Sequence, residues 1–153
     1  MIALLQRVTE GRVEVNGAVV GQIGAGLLVL LAVERMDTGT QADRMVDRLL
    51  GYRVFEDPAG RMNLSLVDTG GSLLLVPQFT LAADTTKGMR PSFTAAAAPD
   101  LGLSLFDHVV RRARATLGDR VATGRFGANM QVSLTNDGPV TFWLRNAVEV
   151  AGA

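Results

Sequence analysis

The sequence predicts an α+β fold: a single domain over residues 1–153, with one mixed or antiparallel β-sheet and two long helices. Three observations predict it. Short β-prone runs punctuated by Gly, Asn and Pro recur in the first third and near the end of the chain. Two segments, 40–52 and 99–117, carry apolar residues at helical spacing. No repeat, linker or low-complexity tract divides the 153 residues, a length within the roughly 100–200 usual for one domain.

The elements follow in order. Leu4–Val8 is an apolar-rich strand. Val13–Val15 and Ala18–Val20 flank Asn16-Gly17, whose tolerance of positive φ suits the type I′ turn of a hairpin. Gly21, Gly24 and Gly26 read as turn punctuation before Leu27–Val33, a strand apolar enough to be buried on both faces. They do not form the dinucleotide fingerprint, because their order is G-x-x-G-x-G and a strand, not a helix, follows. Thr38 caps a helix over about 40–52, with Ala42, Met45, Val46, Leu49 and Leu50 on one face. Arg53–Phe55 is a short strand, Asp57-Pro58-Ala59-Gly60 a turn, and Ser72–Val76 a strong strand running into Pro77-Gln78-Phe79-Thr80. Residues 82–98 read as a loop. Pro99 opens a second helix to about Leu117, with Phe106, Val109, Val110 and Ala113 toward the core. Asn129–Leu134 and Val140–Leu144 are two further strands, joined as a hairpin by Asn136-Asp137-Gly138-Pro139.

Composition narrows the function classes. With no Cys there is no disulfide, thiolate nucleophile or Cys-ligated zinc, and the chain is compatible with the cytosol, the expected location. The longest wholly apolar run, Leu27–Val33, is far shorter than the ~20 residues of a membrane helix. The first residues lack a basic region before their apolar stretch, so no signal peptide and no membrane partner are expected. A formal net charge of +0 argues against a generally basic nucleic-acid binder but leaves room for a local basic patch.

The sole histidine, His108, is adjacent in the helix to Asp107, and the two project about 100° apart, so they cannot form a base–orienter pair. It reads as a helix-surface imidazole. One His and scattered carboxylates supply no metal-ligand spacing, so no metal and no cofactor are expected. The cluster Arg111, Arg112 and Arg114 reads as solvent-facing, with phosphate contact as the other reading. Two segments resist a purely structural account. Gln78-Phe79-Thr80 places polar groups where a buried strand ends, a common position for active sites. Thr80 has no base beside it and would be a poor nucleophile by itself. Gly138-Pro139 puts a proline, which lacks a ladder donor, between two strands.

These two segments also carry a resemblance. Gln78-Phe79-Thr80-Leu81 and the run Met130-Gln131-Val132-Ser133-Leu134-Thr135-Asn136-Asp137-Gly138-Pro139-Val140-Thr141 resemble the D-aminoacyl-tRNA deacylase family. So do Leu5-Gln6-Arg7-Val8, Met62-Asn63-Leu64-Ser65, Gly88-Met89-Arg90-Pro91-Ser92-Phe93 and the glycine-led run from Gly24 to Leu31. The similarity reaches about Leu144, leaving 145–153 as a tail without an assigned role.

The resemblance implies that the mixed or antiparallel sheet is barrel-like and that the chain forms a homodimer with active sites at the subunit interface, acting in translation quality control on the ester that joins a D-amino acid to the 3′ end of tRNA. It implies a cis Gly138–Pro139 bond in a segment that reaches into the partner subunit and is buttressed by Arg7. Gln78, Phe79 and Thr80 would carry catalysis on the other side of the pocket, and Met130 would help wall it. Lys87 and Arg90 are candidates for tRNA phosphate contacts, and no DNA partner is expected. Selection would be by steric exclusion of an L side chain, so glycyl-tRNA, including that mischarged on tRNA(Ala), is expected to be a substrate too.

Pro77 stands where the family usually has Ser. An animal-type branch that deacylates mischarged L-alanyl-tRNA through a trans Gly-Pro has Pro there, but Arg7, Phe79 and 136–141 match the D-specific branch. The other readings are a non-catalytic tRNA- or RNA-binding module and a small-molecule esterase or amidase for D-amino acid derivatives.

Overall fold

A computed structural model describes residues 1–149. β1 (Ile2–Val15) and β2 (Ala18–Ile23) form the hairpin that Asn16-Gly17 predicts. Val15 pairs with Ala18, and the two turn residues have φ of 49° and 79°. β3 (Gly26–Ala32) pairs antiparallel with the first half of β1. α1 (Gly39–Gly51) follows, then the ribbon of β4 (Phe55–Glu56) with β5 (Met62–Leu64), the single turn α2 (Leu66–Thr69) and β6 (Ser72–Pro77). After a long loop come α3 (Pro99–Leu117), β7 (Val121–Thr123) and β8 (Gln131–Arg145).

The main sheet runs β2-β1-β3-β6-β7, with β8 on the other edge of β1. β6 is parallel to both β3 and β7, and the remaining pairs are antiparallel, so the sheet is mixed. It curls until β2 meets β7: a Cβ on Gly21 would lie 2.3 Å from the Thr123 carbonyl oxygen. Glycine at that position is what lets the sheet come close to a barrel.

The curl explains why β3 and β6 are apolar on both faces. Leu27, Val29, Leu31, Leu73 and Leu75 pack beneath Met45, Val46 and Leu49 of α1 and Phe106, Val109 and Ala113 of α3. Leu28, Leu74 and Val76 point the other way and fill the interior with Val8, Val13 and Ile23. Each buried Leu or Val contributes about 1.5–3 kcal/mol. The Thr38 cap is present as a capping box: Thr38 Oγ1 accepts from Thr40 N at 3.3 Å, and Gln41 Oε1 accepts from Thr38 N at 2.9 Å. Pro99 occupies the first turn of α3, where its missing N–H costs no helical bond.

Three expectations need correction, and one strand is unannounced by the sequence. Residues 129–134 and 140–144 are not a hairpin. Both halves of β8 pair with the same long strand, 131–136 against Glu14–Val8 and 141–145 against Gln6–Ile2. The turn-like residues 137–140 stand opposite Arg7 alone and bulge outward, because fourteen residues of β1 offer a partner on both sides of them. Only Phe55 of the expected strand 53–55 is extended in a ladder, and its partner β5 was not foreseen. The three-residue β7 was too short for its periodicity to register. Finally, the stretch expected to be a tail begins inside the fold. Arg145 ends β8, with Nη2 donating to Glu34 Oε1 at 2.7 Å, and Asn146 N donates to Met1 O at 2.9 Å. Residues 150–153 of that stretch lie outside the described residues. Among the described residues, no helix is long and apolar enough to cross a membrane.

Candidate active site

β6 carries the buried run Leu73–Val76 and then loses its β7 partner while staying paired with β3. β7 ends at Thr123, opposite Leu75, so Pro77 forfeits no ladder bond to it. The neighbouring Gly124 makes room: a Cβ there would lie 2.8 Å from Met130 Sδ and 3.4 Å from Pro77 Cδ. Pro77, Gly124 and Met130 thereby form one close-packed wall.

Gln78 is tied to β3 by its N–H, which donates to Leu31 O at 2.8 Å. The chain then tightens into a 3₁₀ turn, Phe79–Ala82, closed by Leu81 N to Gln78 O at 3.2 Å and Ala83 N to Thr80 O at 3.1 Å. The first residues of such a turn present N–H groups that the turn itself does not use. The Gln78 side-chain amide donates to Thr80 Oγ1, orienting the hydroxyl at the exposed end of the strand. Phe79 is 59% exposed and tilts against Phe93, with ring centroids 5.2 Å apart.

These residues border a cavity of about 610 Å³ whose walls include Gln78, Phe79, Phe93, Phe106, Phe126 and Met130. Four of the chain's six phenylalanines converge there. Only Phe79 was assigned a site role from sequence. From the sequence Phe93 is the end of a motif and Phe106 a core-facing residue of the second helix. Phe126 lies in the β7–β8 loop, where no periodicity marks it.

The second locus lies elsewhere in the chain. The Gly138–Pro139 peptide is cis, and both residues are exposed at the crest of the β8 bulge. Asn136 closes the bulge: its Oδ1 accepts from Val140 N and its Nδ2 donates to Thr141 Oγ1, both at 2.8 Å. Arg7, 7% exposed, donates from Nε to Asp137 O at 3.0 Å and from Nη1 to Val54 O at 2.7 Å. Gly138 has φ 133°, and a Cβ on it would meet Val140 Cγ2 at 2.7 Å and Arg7 Nη2 at 3.2 Å. An L side chain is excluded there twice over, by conformation and by space. Val132 lines the cavity, and Gly138 is six residues further along β8, on the order of 20 Å. Within one chain, then, Gln78, Phe79 and Met130 share the cavity, with Thr80 at its edge. Arg7, Gly138 and Pro139 gather at a separate place.

Lys87 and Arg90 sit on an exposed loop whose base reaches the cavity through Phe93. His108 lies outside the cavity, its Nε2 2.7 Å from Asp43 Oδ1, linking α3 to α1. The hydrogen bond from His108 holds the Asp43 carboxyl below its ordinary range, aided by Arg112. Arg112 also reaches Asp47 at 3.0 Å, so the arginine cluster contributes an inter-helix ion pair. Among the described residues no three His, Cys, Asp or Glu side chains are placed to hold a metal.

The chain matches the family described as D-Tyr-tRNA(Tyr) deacylase over residues 4–145. It is 67% identical over 144 residues to a D-aminoacyl-tRNA deacylase of Thioalkalivibrio sulfidiphilus (strain HL-EbGR7), covering 94% of this chain and 96% of that one. Among solved structures, one named c-Myc DNA Unwinding Element Binding Protein superposes with a TM-score of 0.92 at 37% identity, covering 97% of this chain and all of the other. A second, titled a "probable eukaryotic D-amino acid tRNA deacylase", shares the fold at a TM-score of 0.81 and 23% identity, covering 94% of this chain and 97% of the other. With the family matched from the first strand to the last, this chain belongs to the D-Tyr-tRNA(Tyr) deacylases.

Proposed function

We propose that the protein hydrolyses the ester linking a D-amino acid to the 3′ end of tRNA, releasing both. The observation that carries this reading is the 67% identity, across 94% of the chain, with a relative named D-aminoacyl-tRNA deacylase. The site suits the chemistry. An aminoacyl ester is already activated, so positioning and stabilisation of the developing oxyanion supply most of what hydrolysis needs. Main-chain N–H groups at Phe79 and Thr80 are the donors for that oxyanion, and Thr80 positions rather than attacks. The ribose 2′-hydroxyl beside the ester assists attack on the carbonyl.

The working site is composite. The Arg7-pinned bulge of one subunit completes the Gln78–Thr80 pocket of a second copy. Two features support this arrangement: bulge and cavity stand apart within one chain, and β8 is a fifteen-residue edge strand exposing Phe142 and Trp143. Long exposed edges with apolar side chains are normally covered. In the composite site, main-chain carbonyls of the Gly138–Pro139 segment accept from the substrate's α-ammonium. With ammonium and ester fixed, a D side chain points outward and an L side chain meets backbone.

The test is hydrolysis of D-tyrosyl-tRNA, L-tyrosyl-tRNA, L-alanyl-tRNA and D-tyrosine methyl ester by the purified protein. Cleavage of D-tyrosyl-tRNA alone is the expected result. Binding without turnover would leave an RNA-binding module, cleavage of the methyl ester a small-molecule esterase, and cleavage of L-alanyl-tRNA the animal-type activity.

A further inference from the structure

Met89 is 99% exposed, the most exposed large apolar side chain among the described residues. Its loop is nevertheless well built. Asp84 and Ser92 exchange both main-chain hydrogen bonds, at 2.7 and 2.9 Å, closing the base of the loop as a small ladder. Asp84 Oδ1 accepts from Thr86 N at 2.9 Å and from Thr86 Oγ1 at 2.6 Å, and these bonds hold its carboxyl below the usual aspartate range. Gly88, with φ 65°, turns the chain just before Met89. The methionine is therefore presented by a braced loop and buries nothing of its own chain.

Its neighbours define what it faces. Lys87 and Arg90 flank it, both exposed and, among the described residues, without a carboxylate partner. The loop descends directly to Phe93, whose ring packs tilted against Phe79 at the cavity rim. An apolar, polarisable tip between two free cations fits single-stranded nucleic acid: phosphates to the cations, a base face to the thioether.

We propose that Met89 is a positioning residue that packs against an unpaired base of the tRNA 3′ end, just upstream of the nucleotide held in the pocket. This rests on the deacylase reading above. Proteins insert apolar side chains, Met among them, between neighbouring bases, and hold single strands by pairing a cationic track with side chains that pack on base faces. Here the contact would hold the strand leading into the site while leaving the ester chemistry untouched.

The test compares Met89→Ser and Met89→Leu with the unaltered protein on D-tyrosyl-tRNA and on the 3′-D-tyrosyl ester of adenosine, which lacks upstream nucleotides. Binding of uncharged tRNA is measured in parallel by fluorescence anisotropy. Met89→Ser should raise KM for the tRNA substrate, and Kd for uncharged tRNA, about five- to tenfold. It should leave kcat and the adenosine ester unchanged, and Met89→Leu should restore most of the loss. Equal losses on both substrates, or no loss on tRNA, would overturn the proposal. So would dissociation of an oligomer by Met89→Ser in sedimentation, which would assign the tip to a second copy of the chain. If the unaltered protein hydrolyses neither ester, the deacylase reading fails, and the anisotropy measurement still decides the role of Met89.

Discussion

Arg7 and Asp137 are 130 residues apart in sequence, yet the Arg7 Nε donates to the Asp137 main-chain oxygen at 3.0 Å. The same guanidinium reaches Val54 O at 2.7 Å, so one buried side chain ties the β8 bulge to the segment leading into β4. Lysine cannot reproduce the fork, because it has no second nitrogen in a fixed plane. We expect Arg7→Lys and Arg7→Ala to destabilise the fold by about 2–3 kcal/mol, the loss of hydrogen bonds from a charged donor. Urea denaturation measures this. Deacylation of D-tyrosyl-tRNA should fall more steeply than stability if, as we propose, the bulge it holds completes the site that binds substrate.

Thr80 offers a sharper separation of roles. Its hydroxyl receives the Gln78 amide, and no base stands beside it to take its proton, the one histidine being engaged with Asp43. Thr80→Val keeps the shape and removes the hydroxyl. Turnover should fall by about fivefold, the equivalent of one lost hydrogen bond of about 1 kcal/mol, and the unaltered protein should show no burst of released tRNA before steady turnover. Complete loss of turnover with binding intact would make Thr80 a nucleophile.

How much of this was legible in the sequence varied with the range of the interaction. Asn16-Gly17 and the Thr38–Gln41 capping box are local chemistry, and both are found where the residues place them. The double-sided burial of β3 followed from its unbroken apolar run. Residues 136–139 have the composition of a turn, which is local, whereas the length of β1 decides their conformation. Gln78–Thr80 stand out as candidates because polar groups follow a buried strand, and the structure places them at the end of β6. The contribution of Phe126 depends on how a loop folds back over Gly102 of α3, and no spacing rule encodes that.

Glu34 and Arg145 provide a pH-dependent clamp between the residues after β3 and the end of β8. The pairing is bidentate, at 2.7 and 3.2 Å. Burial pushes the Glu34 carboxyl up, but hydrogen bonds from Arg145 and the Met1 ammonium outweigh it and hold it below the ordinary glutamate value. A carboxyl depressed in the folded state contributes stability that is fully present above its unfolded value, about 4.3. That contribution is lost as pH falls through the lower folded value. Glu34→Gln should therefore cost about 1–3 kcal/mol at pH 7, or about 2–4 °C of Tm per kcal/mol, and nearly nothing at pH 2. Thermal melts of both proteins at the two pH values test the sign as well as the size.

Lys87 and Arg90 predict a salt signature. Each cation that neutralises a phosphate of single-stranded RNA contributes roughly 0.7 to the slope of log affinity against log salt. Lys87→Gln and Arg90→Gln should each flatten that slope by about this amount and weaken tRNA binding at low salt. The ratio of D- to L-tyrosyl-tRNA hydrolysis should not change, because neither side chain is among the cavity walls. A changed ratio would place the loop inside the stereochemical filter.

The filter itself makes the last prediction. Selection by a wall of main chain rejects a substituent on one face of the α-carbon and reads nothing on the other. Glycine has no substituent on either face, so glycyl-tRNA should be hydrolysed, including glycine mischarged on tRNA(Ala). Two routes to specificity differ here: a pocket that bound the D side chain favourably would lose glycine along with the L-amino acids, whereas a wall passes it. Measured over a range of enzyme concentrations, glycyl-tRNA should be cleaved while L-tyrosyl-tRNA survives. Survival of glycyl-tRNA at concentrations that clear D-tyrosyl-tRNA would show that the side chain is recognised rather than merely tolerated, and the main-chain exclusion assigned to Gly138 and Pro139 would have to be abandoned.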